Sequence, residues 1–274
     1  MSDSRSLLAE IAVPRRTGTL AHARVREALR RELIARGLVV MEQPFRGRCS
    51  PWLRGVGSPS VEGVNLIAVR SRARVAVWLV AHYDSKGQPL SMLGRLATFP
   101  LSLLLNQVDD RSPGAVDNAT GLLTVLSVLD RLPPDAPVGV IFPDAEELGL
   151  VGARALARER ANLLAETVVI NFDGIDDGGR TVAYVHRGGP TTTALVRALG
   201  ATSRTWLPVI VDGNALKSSG RECITIMRGD WRTMRVVHTV RDNAARLTRA
   251  GVEIVAAGVA SGLLSAQFEV RSAK

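Results

Sequence analysis

Glu146 and Glu147 follow an apolar run, Val138-Gly139-Val140-Ile141-Phe142, with only Pro143, Asp144 and Ala145 between. Neither carboxylate is easily buried unpaired. One of them suits a metal ion while its neighbour handles a proton. At an ordinary helix start the same pair would only complement the helix dipole. The rest of the chain separates these readings. His82-Tyr83-Asp84 follows the apolar run ending at Ala81. Gly114-Ala115-Val116-Asp117-Asn118 precedes a helical pattern, Asn171-Phe172-Asp173-Gly174 ends a further apolar run, and Val236-Val237-His238-Thr239 precedes the last helical stretch. Singly, His82 reads as a core histidine, Asp117 as a helix cap, Asp173 as a turn residue and His238 as a loop residue. Together, each in a strand-end loop, they form a set. Two histidines and three carboxylates without thiolate favour a catalytic divalent site over a structural zinc site. Five ligands are too many for one open zinc. They suit two ions if one aspartate bridges, each ion then having one histidine and one terminal carboxylate of its own.

The elements that must position these groups alternate along the chain. Thr19 to Arg36 carries Val25, Ala28, Leu29 and Leu33 at helical spacing, with Gly37 as the stop. Leu38 to Met41 reads as a short strand and Arg46 to Ser60 as loop. Val64 to Val69 and Val75 to Ala81 read as a hairpin, its second strand apolar on both faces and therefore central. Then come helix Thr120 to Leu132, strand Val138 to Phe142, helix Gly152 to Ala165, strand Val168 to Phe172, strand Thr181 to Val185 and helix Thr191 to Leu199. Short strands at Val209–Val211 and Ile224–Met227 precede a helix from Asp242 to about Ser265. The pattern predicts an α/β fold, a mostly parallel mixed β-sheet sandwiched between helices, in a single domain over residues 1–274. In such sheets ligands bind outside the carboxyl ends of the strands. An apolar insertion, about residues 86–112, contains Ser91 to Leu105. It is too short to span a membrane and reads as a core-packed or cleft-lining loop, with a flap, a dimer contact or a membrane-surface element as alternatives.

Composition narrows the class. The chain has 274 residues, 46% hydrophobic, with a net charge of +9 that is nearly all arginine and spread without a dense block. With 4% aromatic residues and no recognition motif, base stacking has little to build on, so no nucleic-acid partner is expected. Cys49 and Cys223 lie far apart and fit free thiols in a reducing compartment. The first residues lack the features of a signal peptide. The expectation is a cytoplasmic protein without a transmembrane segment, and a homo-oligomer is compatible with it.

The ordered motifs His-x-Asp, Gly-Ala-x-Asp-Asn-x-x-Gly, Glu-Glu-x-Gly, Asn-x-Asp and a late His-Thr-x-x-Asp make the chain resemble the M28 family of zinc aminopeptidases. The likeness runs from Arg15-Arg16 to Asp242. It implies two zinc ions per chain, or other divalent ions: one held by His82 and Asp173, another by Glu147 and His238, with Asp117 bridging. It implies that Asp84 orients the His82 imidazole from behind and that Glu146 is the general base. The implied reaction is hydrolysis of a peptide or small amide with a free N-terminus. Thr120 stands where serine is common, Ala145 where glycine is common and Cys223 where proline is frequent. Asp212-Gly213-Asn214-Ala215-Leu216 occupies the place of a substrate-side loop, so the specificity pocket is not carried over. The alternatives are a single-zinc glutaminyl cyclase, whose His-Tyr-Asp-Ser-Lys run matches His82 to Lys86, a dipeptidase or amidohydrolase of the same fold, and a non-catalytic scaffold.

Overall fold

The computed structural model describes residues 4–49, 60–70, 74–86, 111–206 and 209–272. Among them eight strands, β1 (Leu38–Arg48), β2 (Ser60–Arg70), β3 (Val77–Val80), β4 (Val138–Phe142), β5 (Val168–Ile175), β6 (Arg180–Arg187), β7 (Thr202–Arg204) and β8 (Glu222–Gly229), form one sheet in the order β1-β2-β4-β3-β5-β8-β6-β7. The four central strands, β4, β3, β5 and β8, are parallel, so their carboxyl ends share one edge. β2 pairs antiparallel to β4 and to β1, and β6 antiparallel to β8. The helices are α1 (Ser4–Ile11), α2 (Leu20–Ala35), α3 (Thr120–Arg131), α4 (Val151–Glu159), α5 (Ala161–Leu164), α6 (Pro190–Ala198), α7 (Asp212–Leu216), α8 (Trp231–Met234) and α9 (Ala250–Ser272). Among the described residues no helix is long and apolar enough to cross a membrane.

Side-chain alternation sorts the core into two layers. Val77 and Leu79 of β3 join the cluster under α1, α2, α3, α6 and α9. Trp78 and Val80 point the other way, into the cluster under α4, α5 and α7. All five β4 residues are buried, and Gly139 must lack a side chain there: a Cβ would lie 2.4 Å from the Trp78 ring. The mixed sheet between helices is the expected fold. In α2, the Thr19 hydroxyl caps the start by accepting from His22 N, and Gly37 leaves the helix at φ +77°.

Several local expectations are corrected. β2 and β3 form no hairpin, because β4 lies between them. Both hydrogen-bonding edges of β3 are taken, by β4 and β5, as a strand apolar on both faces requires. The antiparallel partner of β2 is β1 instead, which runs on to Arg48 rather than ending at Met41, so Arg46 to Arg48 is strand and not loop. The helix expected from Gly152 to Ala165 breaks at Arg160, at φ −129°. Residues 209–211 are not a strand, while the exposed strand β7 has no apolar signal at all. The last helix starts at Ala250, not Asp242. Ser91 to Leu105 lies outside the described residues.

Candidate metal centre

The shared edge of the parallel strands gathers His82, Asp117, Glu147, Asp173 and His238. Their ligand-type atoms form two groups, His82–Asp117–Asp173 and Asp117–Glu147–His238, within each of which these atoms lie within 4.8 Å of one another. Asp117 belongs to both. Its Oδ1 is 3.1 Å from His82 Nε2 and its Oδ2 is 2.8 Å from His238 Nε2. His238 Nε2 also lies 3.4 Å from Glu147 Oε1, and His82 Nε2 lies 3.9 Å from Asp173 Oδ1.

Each residue is held by its element. His82 follows β3 directly. Asp173 lies in β5 where the register against β8 shifts between Phe172 and Ile175, beside Gly174 at φ +64°, a bulge that re-aims its side chain. Asp117 sits in a tight turn, Ala115–Ala119, entered through Gly114 at φ +59°, where a Cβ would come within 2.2 Å of Asp117 O. The Asp117–Asn118 peptide bond is cis. Asp242 accepts from Val116 N at 2.7 Å and Asp117 N at 3.2 Å, and Asn118 Nδ2 donates to Phe172 O at 2.8 Å, tying the turn to β5. Glu146 and Glu147 open a short 3-10 turn, Glu146–Leu148. Ala145 before it has φ +56°, which accounts for the advantage of glycine at that position.

Asp84 does more than face an imidazole. Its Oδ1 is 3.4 Å from His82 Nδ1, and its two oxygens accept from Glu146 N at 3.1 Å and Glu147 N at 3.2 Å. One carboxylate thus joins the β3 end to the glutamate turn. Asp144, fully buried, makes a second junction. Its Oδ1 lies 2.9 Å from His22 Nε2 and accepts from Thr17 Oγ1 at 3.0 Å and Ala145 N at 2.7 Å; its Oδ2 accepts from Tyr83 OH at 3.1 Å and Val64 N at 3.0 Å. The His22 and Tyr83 rings stack at 4.7 Å. Arg15, buried, donates to Tyr83 O at 2.8 Å, Pro113 O at 2.6 Å and Gly114 O at 3.0 Å. The amino-terminal segment therefore braces the loops that carry His82, Asp117 and Glu146.

Charge is concentrated here. Burial alone would push Asp117 up, but the imidazoles of His238 and His82 close beside it hold it well below the usual carboxylate range. Burial would lower His82, yet Glu146, Asp117 and Asp84 raise it well above its ordinary value. Burial, reinforced by Asp117, pushes Asp173 up to about 8, and burial pushes Asp212 up to about 7. Glu146 is raised well above the usual range by burial and by the charges of Glu147, Asp212 and Asp173, His82 opposing. Lys86 Nζ, buried, donates to Glu147 Oε2 at 2.9 Å.

A divalent cation fits this donor set. Both ring nitrogens of His82 and Oε1 of Glu147 are buried without an aligned hydrogen bond among the described residues, although carboxylate oxygens are near. Such atoms cost stability unless something else satisfies them, and imidazole with carboxylate is a ligand set that zinc accepts. Lys86, Asp144 and Asp212 were not picked out as site residues by sequence reasoning. Lys86 stood inside a motif already noticed. Asp144 gave no signal, because its partner His22 is 122 residues away.

The sequence model of peptidase family M28 matches residues 65–261. The chain belongs to this family. Among solved structures it resembles a glutaminyl cyclase from Porphyromonas gingivalis (TM-score 0.73, 17% identity, 96% of each chain covered). It also resembles a Zn-dependent exopeptidase from Parabacteroides distasonis (0.70, 18%, 95% of this chain and 96% of the other) and a leucine aminopeptidase precursor from Bacteroides thetaiotaomicron (0.66, 16%, 95% and 96%). At these identities the likeness shows the shared fold. A comparison with curated proteins finds no match. Arg15, Thr17 and His22 precede the part of this M28 chain that the family model matches.

Proposed function

We propose that the chain is a co-catalytic di-zinc aminopeptidase, hydrolysing the first peptide bond of substrates with a free N-terminus. The observation that carries this reading is the pair of ligand groups sharing Asp117, with Glu146 next in sequence to one of their members. His82 and Asp173 would hold one ion, Glu147 and His238 the other, and Asp117 both. Zinc bound there would supply Lewis acidity towards a carbonyl oxygen and towards water. Glu146 would take the proton from the attacking water and return it to the leaving amine, a role worth about 10²–10⁴-fold. In the metal-free site burial and the neighbouring carboxylates raise its pKa, the direction a general base needs. Asp84 would keep the His82 ring oriented and the glutamate turn in register.

The test is metal analysis together with a panel of aminoacyl amides, with and without a chelator. Two equivalents of zinc and chelator-sensitive hydrolysis support the reading, whereas activity after complete metal removal sinks it. One observation favours a second reading, a single-zinc glutaminyl cyclase: the buried Lys86 ammonium already neutralises one oxygen of Glu147. One zinc equivalent, with ammonia released from N-terminal glutamine, would establish the cyclase instead. Cys49 and Cys223, buried thiols outside any disulfide, support a reducing, cytoplasmic setting.

A further inference from the structure

The candidate ligands do not share solvent access equally. The side chains of His82 and Asp173 are 2% and 10% exposed, and that of Glu147 5%, against 32% for His238. Among the described residues the site therefore opens on the His238 side. The segment 230–242 carries His238 and so borders this side, which a peptide with its amino end at the ligand groups would pass. That segment is braced from within. Asp230 caps α8 by accepting from Arg232 N at 2.7 Å and Thr233 N at 3.2 Å, and Asp242 N donates to Thr239 O at 3.0 Å.

The outer surface of the segment is cationic and aromatic. Trp231 is 61% exposed, and the guanidinium carbons of Arg232 and Arg235 lie 5.5 and 5.6 Å from its ring centroid. Arg241, also exposed, donates to Arg235 O at 3.4 Å. The next arginines, Arg246 and Arg249, are paired with Asp176 and Glu253 at 3.0 and 3.2 Å. Arg232, Arg235 and Arg241 have no carboxylate within ion-pair distance among the described residues. Stacking on the indole fixes two of the guanidiniums in place, and a guanidinium matches a carboxylate with paired hydrogen bonds.

We infer that this rim selects peptides with carboxylate groups in the first two residues beyond the scissile bond. The direction in which the peptide lies rests on the aminopeptidase reading. Matched tripeptide amides, Ala-Glu-Glu and Ala-Lys-Lys, test it in two ways: by kcat/KM with the zinc-loaded enzyme, and by calorimetric Kd with Glu146→Gln protein. The glutamate peptide is expected to be favoured by about fivefold or more in both, mainly through KM. The preference should collapse in the triple variant Arg232→Gln/Arg235→Gln/Arg241→Gln and in about 1 M salt, where screening shortens to about 3 Å. Equal Kd values for the two peptides, or a preference the triple variant retains, overturn the inference. If neither peptide is cleaved while the glutamate peptide still binds more tightly, the aminopeptidase reading fails and the rim stands.

Discussion

The two halves of the centre that meet at Asp117 are built differently. The His82–Asp173 half hangs on β3 and β5, neighbouring parallel strands with continuous register from Val77 to Val80. Its side chains are buried, and Asp84 stands behind the imidazole. The His238–Glu147 half rests on a loop and a 3-10 turn. His238 has φ +64° and a side chain only partly buried, and Glu147 is already paired with Lys86. Strands fix a ligand through the whole sheet, whereas the loop of His238 is tied in through a few single bonds such as those from Val116 N and Asp117 N to Asp242. One half is thus preorganised and shut off. The other is more open to solvent, its His238 side chain being 32% exposed.

Glu146 stands at the junction of the halves, and its loss should have the largest effect. Glu146→Gln is expected to lower kcat about 10²–10⁴-fold while metal content stays the same, and steady-state kinetics with metal analysis checks it. A near-normal kcat would remove Glu146 from the mechanism.

The comparison itself is tested by truncating each imidazole in metal-free protein. His82→Ala leaves the buried Asp84 and Asp117 short of their counter-charge and should cost about 3–5 kcal/mol in urea unfolding. His238→Ala, at the half-open side, should cost about 1 kcal/mol. Equal losses would mean that the loop half is as rigidly integrated as the strand half.

A smaller effect concerns Lys86. Lys86→Met removes the cation that competes for Glu147, so divalent-metal affinity on the His238 side should rise about tenfold, read by calorimetry. An unchanged affinity would show that the pair is not a competitor, which would weaken the case for a single-zinc enzyme.

The smallest effect is on pH dependence in the buried half. Asp212, its carboxylate oxygens buried without hydrogen-bond partners among the described residues, holds its proton up to about pH 7 when folded. Unfolded, it releases that proton in the usual carboxylate range. The stability this provides is fully present only below the unfolded carboxylate range and is lost progressively as pH rises from there to about 7. Metal-free Asp212→Asn should therefore melt roughly 2–6 °C higher than the parent at pH 8, with a smaller difference at pH 5. The opposite order in differential scanning calorimetry would refute the sign.

Residue type and periodicity carried much of this in the sequence alone. The all-apolar run Val138 to Phe142 reads as a buried strand, and helix α3 is legible from its spacing. His82, Asp117, Glu147, Asp173 and His238 stand out only as a set, because imidazole and carboxylate recur at the ends of apolar runs, where they are costly to bury. Hydrophobicity reports burial but not which neighbour supplies it. That is why β3 was given β2 as its partner when the fold places β4 between them. Nor could composition reveal that Asp144 answers His22, that Lys86 meets Glu147, or that Asp117 turns one oxygen to each histidine. Those contacts join residues between 35 and 122 positions apart, a separation that local propensity does not span. Only the parallel packing of β4, β3, β5 and β8, which brings their carboxyl ends to one edge, closes the distance.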